Sequence, residues 1–247
     1  MKLHGRYFVL ASTLSLGTTA FASEPDWTAY TQLLARHVSD GQQDGVSLKR
    51  VNYSALKNDP AWPQTLAVLE QFPVQQLESR AETLAFYINA YNIMAIRMVL
   101  DHWPVTSIKD AGSWINPVWK KPAGKLNGKT VTLQQVEDDF LRSLQEPRIH
   151  MAIVCASVSC PDLRAEPYRA ATLEQQLDDQ ATRFLANTGK GLKINGDRME
   201  VSKIFDWFED DFRVSGGVDA FIRRYHPVPQ PVTIDAYMDY NWDLNGN

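Results

Sequence analysis

One segment, Arg148 to Pro161, holds the residues whose types and spacing suit thiol chemistry. Its sequence, RIHMAIVCASVSCP, contains His150, Cys155 and Cys160, and the chain has two cysteines in all. A cysteine becomes a useful nucleophile when a base such as histidine lies within hydrogen-bond reach. Two cysteines five positions apart can equally close a small disulfide. The segment therefore predicts either a thiol site or a structural disulfide.

The base for such a thiol depends on how the segment folds. Apolar residues from Ile149 to Val154 predict a buried central strand. Side chains alternate between the two faces of a strand, so His150 and Cys155 would point in opposite directions. In that geometry the base comes from another part of the chain, and from His150 only if the strand ends early. The other candidate histidines are His226, His102 and His37.

A metal site is a third use of the same residues, and the spacing argues against it. His150, Cys155, Cys160 and Asp162 carry ligand atoms. The separation of the two cysteines lies at the wide end of zinc patterns, which usually add a second closely spaced pair of ligands. The chain has no second cysteine pair. We therefore expect no metal and no cofactor.

The first residues predict an exported protein. Basic residues precede an apolar run from Tyr7 to Gly17, and Ala20-Phe21-Ala22 has the small-x-small pattern of a cleavage site. The run is shorter than the roughly 20 residues that a membrane span needs. We expect residues 1–22 to be removed as a signal peptide. Residues 23–247 would then form a single globular domain in the periplasm or outside the cell, where thiols tend to be oxidised.

Composition and charge limit the partners of this chain. It has 25 Lys and Arg against 29 Asp and Glu, a formal net charge of −4. Removing the leader with its two basic residues leaves 23 against 29, a net charge of −6. A negative surface is poorly suited to nucleic acid or to an anionic membrane. No later segment predicts a transmembrane helix. We expect a peptide or small-molecule ligand.

The spacing of apolar residues predicts several helices. The strongest covers Ala81 to Leu100, which is apolar on nearly all sides and therefore belongs in the core. Thr132 and Gln135 have the pattern of a capping box that opens a further helix to Leu144. Other predicted helices cover residues 26–38, 62–72, 172–187, 202–212 and 218–225.

Predicted strands are fewer and lie mostly in the second half of the chain. Residues 192–194 and 198–201 predict a hairpin around a type I′ turn at Asn195-Gly196. Further short strands are predicted at residues 129–132 and 232–234. Because helices outnumber strands, the sequence predicts an α+β fold, a helix-rich single domain packed on a small, mostly antiparallel sheet.

Five motifs occur in one order along the chain: AFYINAYNIM (85–94), VEDDFLR (136–142), RIHMAIVCASVSCP (148–161), SKIFDWFEDDF (202–212) and DYNWDLN (239–245). Together they resemble the family called domain of unknown function 547, over residues 52–247. The resemblance implies a distant likeness to papain- or transglutaminase-type thiol folds. In those folds the nucleophile stands at a helix N-terminus, where the helix dipole lowers its pKa. Cys155, in contrast, ends a predicted strand.

The family pattern also points to individual residues. It matches at Asn89, Asn92, Glu137, Leu141, Arg142, His150, Cys155 and Pro161. The resemblance implies cysteine at position 155 but cysteine or serine at position 160, which favours Cys155 as the functional thiol. The chain departs from the pattern at Asp138, where the family commonly has a histidine. A mechanism that needs that histidine is therefore not expected here.

The leading functional hypothesis is thiol-dependent acyl transfer or hydrolysis of a peptide or amide. Cys155 is the nucleophile, His150 or His226 is the base, and Asn89 or Glu137 orients the base. The residues expected to line the binding cleft are Arg142, Arg148, Asn92, Trp114 and Trp119.

The competing hypothesis is a non-catalytic periplasmic binding or accessory protein. Cys155 and Cys160 would then form a structural disulfide, and the aromatic loop from Trp114 to Trp119 would grip a ligand or partner. The polar residues of the predicted cleft would instead brace the core. In either case the acidic run from Asp206 to Asp211 predicts a solvated helix face.

Overall fold

The longest helix, α4 (Arg80–Asp101), lies at the centre of the fold in a computed structural model, which describes residues 24–247. A capping box begins it: the Ser79 hydroxyl accepts from the Glu82 N–H at 3.1 Å, and the Glu82 carboxylate accepts from the Ser79 N–H at 2.8 Å. By length and composition alone α4 could cross a bilayer, but 89% of its most apolar 18-residue stretch is buried inside the structure. It is therefore a core helix, as its all-round apolar pattern predicts.

Three shorter helices precede α4, and two of them confirm predictions. They are α1 (Thr28–His37), α2 (Tyr53–Leu56) and α3 (Ala61–Gln71). The apolar faces of α1 and α3 are buried in the same core cluster as α4, which is how amphipathic helices gain most of their stability. The predicted signal peptide, residues 1–22, lies outside the described residues.

The strands form three small sheets rather than one. The first two are the antiparallel pairs β1 (Val38–Gln43) with β2 (Val46–Val51), and β3 (Pro122–Leu126) with β4 (Lys129–Thr132). The third has the order β5 (Leu192–Asn195), β6 (Arg198–Val201) and β7 (Thr233–Tyr237), antiparallel and then parallel. The α+β class with mostly antiparallel pairing is confirmed. In each sheet, two antiparallel strands are joined by a tight turn, and β7 adds a parallel edge strand to the third.

The turn between β5 and β6 differs from the predicted one. Asn195 pairs with Arg198, so the two turn residues are Gly196 and Asp197. Of these two, Gly196 has a positive φ, 64°. A type I′ turn needs a positive φ at both central positions, whereas type II′ needs it at the first alone. The predicted hairpin is confirmed, but its turn lies one residue later than predicted.

The helix that begins after Thr132 changes its winding along its length. The predicted capping box is present, with the Thr132 hydroxyl and the Gln135 amide each accepting from the other residue's N–H. An α-helical turn, α5 (Leu133–Gln135), is followed by a π-helical turn over Val136–Leu141 and a 3-10 turn over Arg142–Leu144. A π-helical turn inserts an extra residue and redirects side chains, and such turns are frequent at functional sites.

The predicted central strand at Ile149 to Val154 is wrong. Pro147–Met151 forms a 3-10 helix, and the backbone then continues as an irregular segment. Ile149 and Ala152 are buried in the core around α4, while Met151 is buried in a second core under the β5–β7 sheet. The segment is apolar because it is wedged between two cores. A short apolar run does not by itself distinguish an irregular segment buried between two cores from a buried strand.

The second half of the chain adds the helices that enclose the second core. They are α6 (Leu173–Ala186), α7 (Ile204–Trp207) and α8 (Val218–Tyr225). The single helix predicted over residues 202–212 is instead α7 followed by a 3-10 helix, Glu209–Ser215. The backbone leaves helical geometry at Phe208, where φ is −120° and ψ is 25°. This break sets the direction of the following acidic residues.

Candidate functional site

A cavity of about 600 Å³ lies where the two cores meet. Its volume is in the range of small-molecule sites. It is lined by side chains from the segments around residues 91, 109, 119, 134–142, 150–161, 204–208 and 240–242. Five of the predicted site residues line it: Glu137, Arg142, His150, Cys155 and Trp119. This cavity is the candidate functional site.

Cys155 and Cys160 form a disulfide in the wall of this cavity. The C-terminal tail supports the loop between them. Val158 donates its N–H to the Asp243 carbonyl at 2.9 Å, and Ser159 donates to the Asn241 carbonyl at 3.2 Å. Because the two cysteines are bonded to each other, residues 24–247 contain no free thiol in this form of the protein.

The residue after Cys155 has an unusual backbone conformation. Ala156 has φ of 59°, in the left-handed region that non-glycine residues seldom adopt. It is held there by burial and by the Asn245 N–H, which donates to the Ala156 carbonyl at 3.0 Å. Such local strain persists only where the surrounding structure imposes it, and it is often found next to functional residues. The strain here fixes the direction in which the chain leaves Cys155.

The hydroxyl of Tyr240 contacts both sulfurs. It lies 3.3 Å from Cys155 Sγ and 3.2 Å from Cys160 Sγ, and it accepts from the Ser157 hydroxyl at 3.2 Å. Burial raises the pKa of Tyr240 above its usual value. The phenol is therefore protonated at neutral pH and has a proton to donate towards the sulfurs.

His150 also lines the cavity, and it is hydrogen-bonded to Asp211, which lies outside the lining. His150 Nε2 lies 2.8 Å from Asp211 Oδ2, and the imidazole stacks on Phe208 with ring centroids 4.1 Å apart. Burial lowers the pKa of His150, although the hydrogen bond and charge of Asp211 oppose this. A neutral imidazole that faces a carboxylate must donate from Nε2, which leaves Nδ1 as an acceptor. Within residues 24–247, no protein group hydrogen-bonds to this Nδ1.

Arg142 holds Asp211 in place from the other side. Its Nε and Nη2 donate to the two oxygens of Asp211 at 2.6 and 3.0 Å, and its Nη1 donates to Asp138 at 2.8 Å. Burial alone would raise the pKa of Asp211, but the bonds from His150 and Arg142 hold it well below its usual range. Asp211 is therefore ionised and orients both partners, as a two-pronged guanidinium–carboxylate pair does.

Glu137 lies in the same cavity wall with a perturbed carboxyl group. Burial raises its pKa from 4.5 to about 7, and the charge of Asp138 adds to this rise. A hydrogen bond from Tyr91 and the charge of Arg142 act in the opposite direction. Glu137 belongs to the π-helical turn, where its backbone carbonyl accepts from the Arg142 N–H five residues further along the chain. Carboxyl groups that titrate near neutral pH are frequent at functional sites.

Asn89 and Asn92 of α4 hold the segments that lead into and out of the cavity. Asn92 donates to the Ala152 carbonyl at 3.0 Å and accepts from the Val154 N–H at 2.8 Å. Asn89 makes the same pair of bonds with the carbonyl and N–H of Tyr168, at 2.8 and 2.9 Å. Each side-chain amide thus makes one donated and one accepted hydrogen bond with the backbone of an irregular segment, as a neighbouring strand would do in a sheet. Their role is to position the wall that contains Cys155.

Residues 74–185 match the family model described as "Protein of unknown function, DUF547". The predicted resemblance to the DUF547 family is confirmed over this segment. The DUF547 segment contains α4, Glu137, Arg142, His150 and both cysteines, whereas Asp211 and Tyr240 lie beyond it. No curated protein and no solved structure matches the chain.

Five other predicted site residues do not line the cavity: Arg148, His226, Trp114, Asn89 and Asn92. Arg148 is buried and donates to Glu146, Glu174 and Asp178 at 2.7 Å each. His226 directly follows α8, where its N–H donates to the Ile222 carbonyl. Trp114 is 96% exposed and does not contact the cavity. Asn89 supports the site indirectly, because it hydrogen-bonds the backbone of Tyr168.

Sequence reasoning missed several residues that line or support the site. The acidic run was predicted to be a solvated face, and for Asp211 this is wrong because the break at Phe208 turns that carboxylate towards His150. Tyr240 and Trp242 come from the C-terminal motif DYNWDLN, whose dense aromatic content was the available signal. Within residues 24–247, no group of three or more His, Cys, Asp or Glu side chains is arranged to hold a metal ion.

Proposed function

We propose that this DUF547 protein is an exported, thiol-dependent acyl-transfer or amide-hydrolysing enzyme, active when the Cys155–Cys160 disulfide is reduced. The observation that carries the proposal is that Cys155 and His150 line one cavity and that Asp211 hydrogen-bonds His150 from behind it. A nucleophile, a base and a carboxylate that orients the base are the three parts of a thiol hydrolase site. Oxidation holds this set in a resting form.

The reaction begins with reduction of the disulfide. Two molecules of an external thiol, RSH, convert the cystine into two cysteine thiols and one RSSR. Breaking the sulfur–sulfur bond frees the Cys155 side chain to turn towards the imidazole. Cys160 is 3% exposed and stays in the wall, whereas Cys155 is half-buried at the cavity surface. The more accessible sulfur is the better placed nucleophile.

Acyl transfer then uses the groups around the cavity. His150 Nδ1 accepts the proton of the Cys155 thiol as the sulfur attacks the acyl carbon, while Nε2–H keeps its bond to Asp211. The carbon–nitrogen bond of the amide breaks, and the proton passes from His150 to the leaving nitrogen. Water or another acceptor then attacks the thioester and restores the thiol. The Tyr240 hydroxyl, 3.3 Å from Cys155 Sγ, is assigned the role of donor to the oxygen that becomes negative.

The decisive experiment measures the reactivity of Cys155 in the reduced protein. Reduced wild-type protein is alkylated with iodoacetamide over a range of pH, and mass spectrometry separates labelling of Cys155 from that of Cys160. We expect Cys155 to react faster and to titrate below about 8.5, the value of an unperturbed thiol. Asp211→Asn should return the titration of Cys155 to that value.

Asp210→Asn is the matched control, because Asp210 is the neighbouring carboxylate and its side chain is 74% exposed. It should behave as the wild type does. Equal, slow labelling of both cysteines in all three proteins would contradict the proposal. Hydrolysis of a peptide p-nitroanilide by the reduced wild type, but not by Cys155→Ser, would extend the result from reactivity to catalysis.

A second candidate function is a non-catalytic periplasmic binding or accessory protein. The disulfide itself favours this candidate, because it ties up both thiols of the described chain. Protein expressed in the periplasm and alkylated without reductant distinguishes the two. Cysteines that stay unlabelled, with Cys155 unreactive even after mild reduction, support the binding protein.

A further inference from the structure

Most charged groups around the cavity are held by ion pairs or hydrogen bonds within the protein. Arg142 is neutralised by Asp138 and Asp211, and Glu137 is hydrogen-bonded by Tyr91. Lys109 also lines the cavity; the charge of Asp110 acts on it, but that carboxylate is hydrogen-bonded to Thr106 and Ser107 and forms no ion pair with the ammonium group among the described residues. The ammonium group of Lys109 is therefore free to form an ion pair with a negatively charged group of a ligand.

Lys109 is held at an aromatic rim. Its Nζ lies 4.9 Å from the centre of the Trp242 ring, a cation–π distance. The short helix that carries it, Ile108–Ala111, is fixed to the C-terminal tail by the Ser107 hydroxyl, which donates to the Trp242 carbonyl at 2.7 Å. The position of the Lys109 backbone is therefore defined by the fold, and its exposed side chain extends from there over Trp242.

Flat aromatic rings continue the wall from Lys109 towards the disulfide. Trp242 lies against Trp207 and Tyr240, with ring centroids 5.7 and 4.5 Å apart, and Trp119 meets it edge-on at 5.4 Å. Trp207 is 43% exposed, so part of its ring surface is open to a ligand. Tyr240 connects the wall to both sulfurs. Cation, aromatic surface and Cys155 thus share one small cavity.

We infer that the cavity binds an amide that carries both a carboxylate and a flat apolar group, in the manner of an N-acyl amino acid. The carboxylate pairs with Lys109, and the flat group lies on Trp207 and Trp242. The inference rests on the proposed function for the amide bond, which must reach Cys155. The recognition of charge and ring stands on the cavity alone.

The test compares two probes that differ in charge alone. Hippurate, N-benzoylglycine, has a benzoyl ring, an amide and a carboxylate, and hippuramide replaces the carboxylate with a neutral amide. Binding of each to the oxidised wild-type protein is measured by calorimetry at low ionic strength. We expect hippurate to bind about fivefold more tightly, the value of one partly exposed ion pair, and the preference to shrink in high salt.

Variants assign the preference to the residues. Lys109→Gln should abolish it, while Lys109→Arg should retain it. Lys120→Gln is the matched control on the next 3-10 helix, Val118–Lys120, because Lys120 does not line this cavity. It should leave the preference unchanged. Trp207→Leu should weaken both probes by a similar factor.

The inference is overturned if neither probe binds, if hippuramide binds as tightly as hippurate, or if Lys109→Gln keeps the preference. Because binding is measured on the oxidised protein, the result is independent of thiol reactivity. An unreactive Cys155 together with a Lys109-dependent preference would refute the enzyme and keep the binding site. A reactive Cys155 with no preference would do the opposite.

Discussion

Replacing Glu137 with glutamine should stabilise the protein at alkaline pH, because it removes a charge that the fold disfavours. Glu137 is buried beside Asp138, and its pKa is raised from 4.5 to about 7. Glutamine has nearly the same shape and can still accept the hydrogen bond from Tyr91. The substitution therefore tests the carboxylate without opening a cavity.

The sign of the effect follows from proton binding. Between pH 4.5 and about 7 the folded protein holds a proton on Glu137 that the unfolded chain has released. The free energy of unfolding therefore falls as pH rises through this interval, and the full cost is present above pH 7. At 1.36 kcal/mol for each unit of pKa, the cost is about 3 kcal/mol. Below pH 4.5 both states are protonated and the contribution vanishes.

The assay is urea unfolding of wild type and Glu137→Gln at several pH values. The difference between the two proteins should be small near about pH 4.5 and grow to about 3 kcal/mol in favour of the variant at about pH 8. Taking the difference removes the contribution of His150. The lowered pKa of that residue acts the other way, because its stabilising effect is lost as pH falls below its usual value of 6.5.

Glu82→Gln is a control with the opposite sign. The backbone N–H groups of Ser79 and Glu78 donate to this carboxylate and lower its pKa. The same substitution should therefore cost stability at high pH. A Glu137→Gln difference that does not change with pH, or that favours the wild type at about pH 8, would refute the account of the buried carboxyl.

Three further predictions concern stability. Asn92→Leu leaves a buried N–H and a buried carbonyl of the cavity wall unpaired, which should cost about 2–5 kcal/mol in urea unfolding; a loss below about 1 kcal/mol would contradict this role. Reduction of the disulfide, which joins residues five positions apart, should cost only about 2 kcal/mol, so the reduced protein should keep its far-ultraviolet circular dichroism. Ser79→Ala should cost about 1 kcal/mol, whereas Thr172→Ala should cost much less, because Thr172 makes no capping bond; equal losses would argue against the capping box.

Elements with a strong local signal could be predicted from the sequence. The apolar pattern of α4, the capping box at Thr132 and the β5–β6 hairpin each depend on residues close in the chain, and all three are present. The segment from Ile149 to Val154 could not be assigned, because its apolar character comes from two cores formed by distant residues. Its true shape depends on side chains such as Asn92, 60 residues away.

The candidate site likewise contains residues that could be predicted from the sequence and residues that could not. His150, Cys155, Glu137 and Arg142 were found from their types and order, and the structure places them around one cavity. Asp211 was missed because an acidic run on a predicted helix looks solvated, and only the backbone break before it directs one carboxylate inward. The bond between His150 and Asp211 spans 61 positions, which local sequence patterns do not encode.

The paired bonds of Asn89 and Asn92 have a consequence for how the cavity moves. The backbone N–H groups of Val154 and Tyr168 donate to side chains of α4, the most buried helix. Their hydrogens should therefore exchange with solvent only when α4 itself unfolds. The cavity wall is then as rigid as the core, although it contains little regular secondary structure. A ligand that enters meets a surface that is already ordered, and little of its binding free energy is lost in ordering that wall.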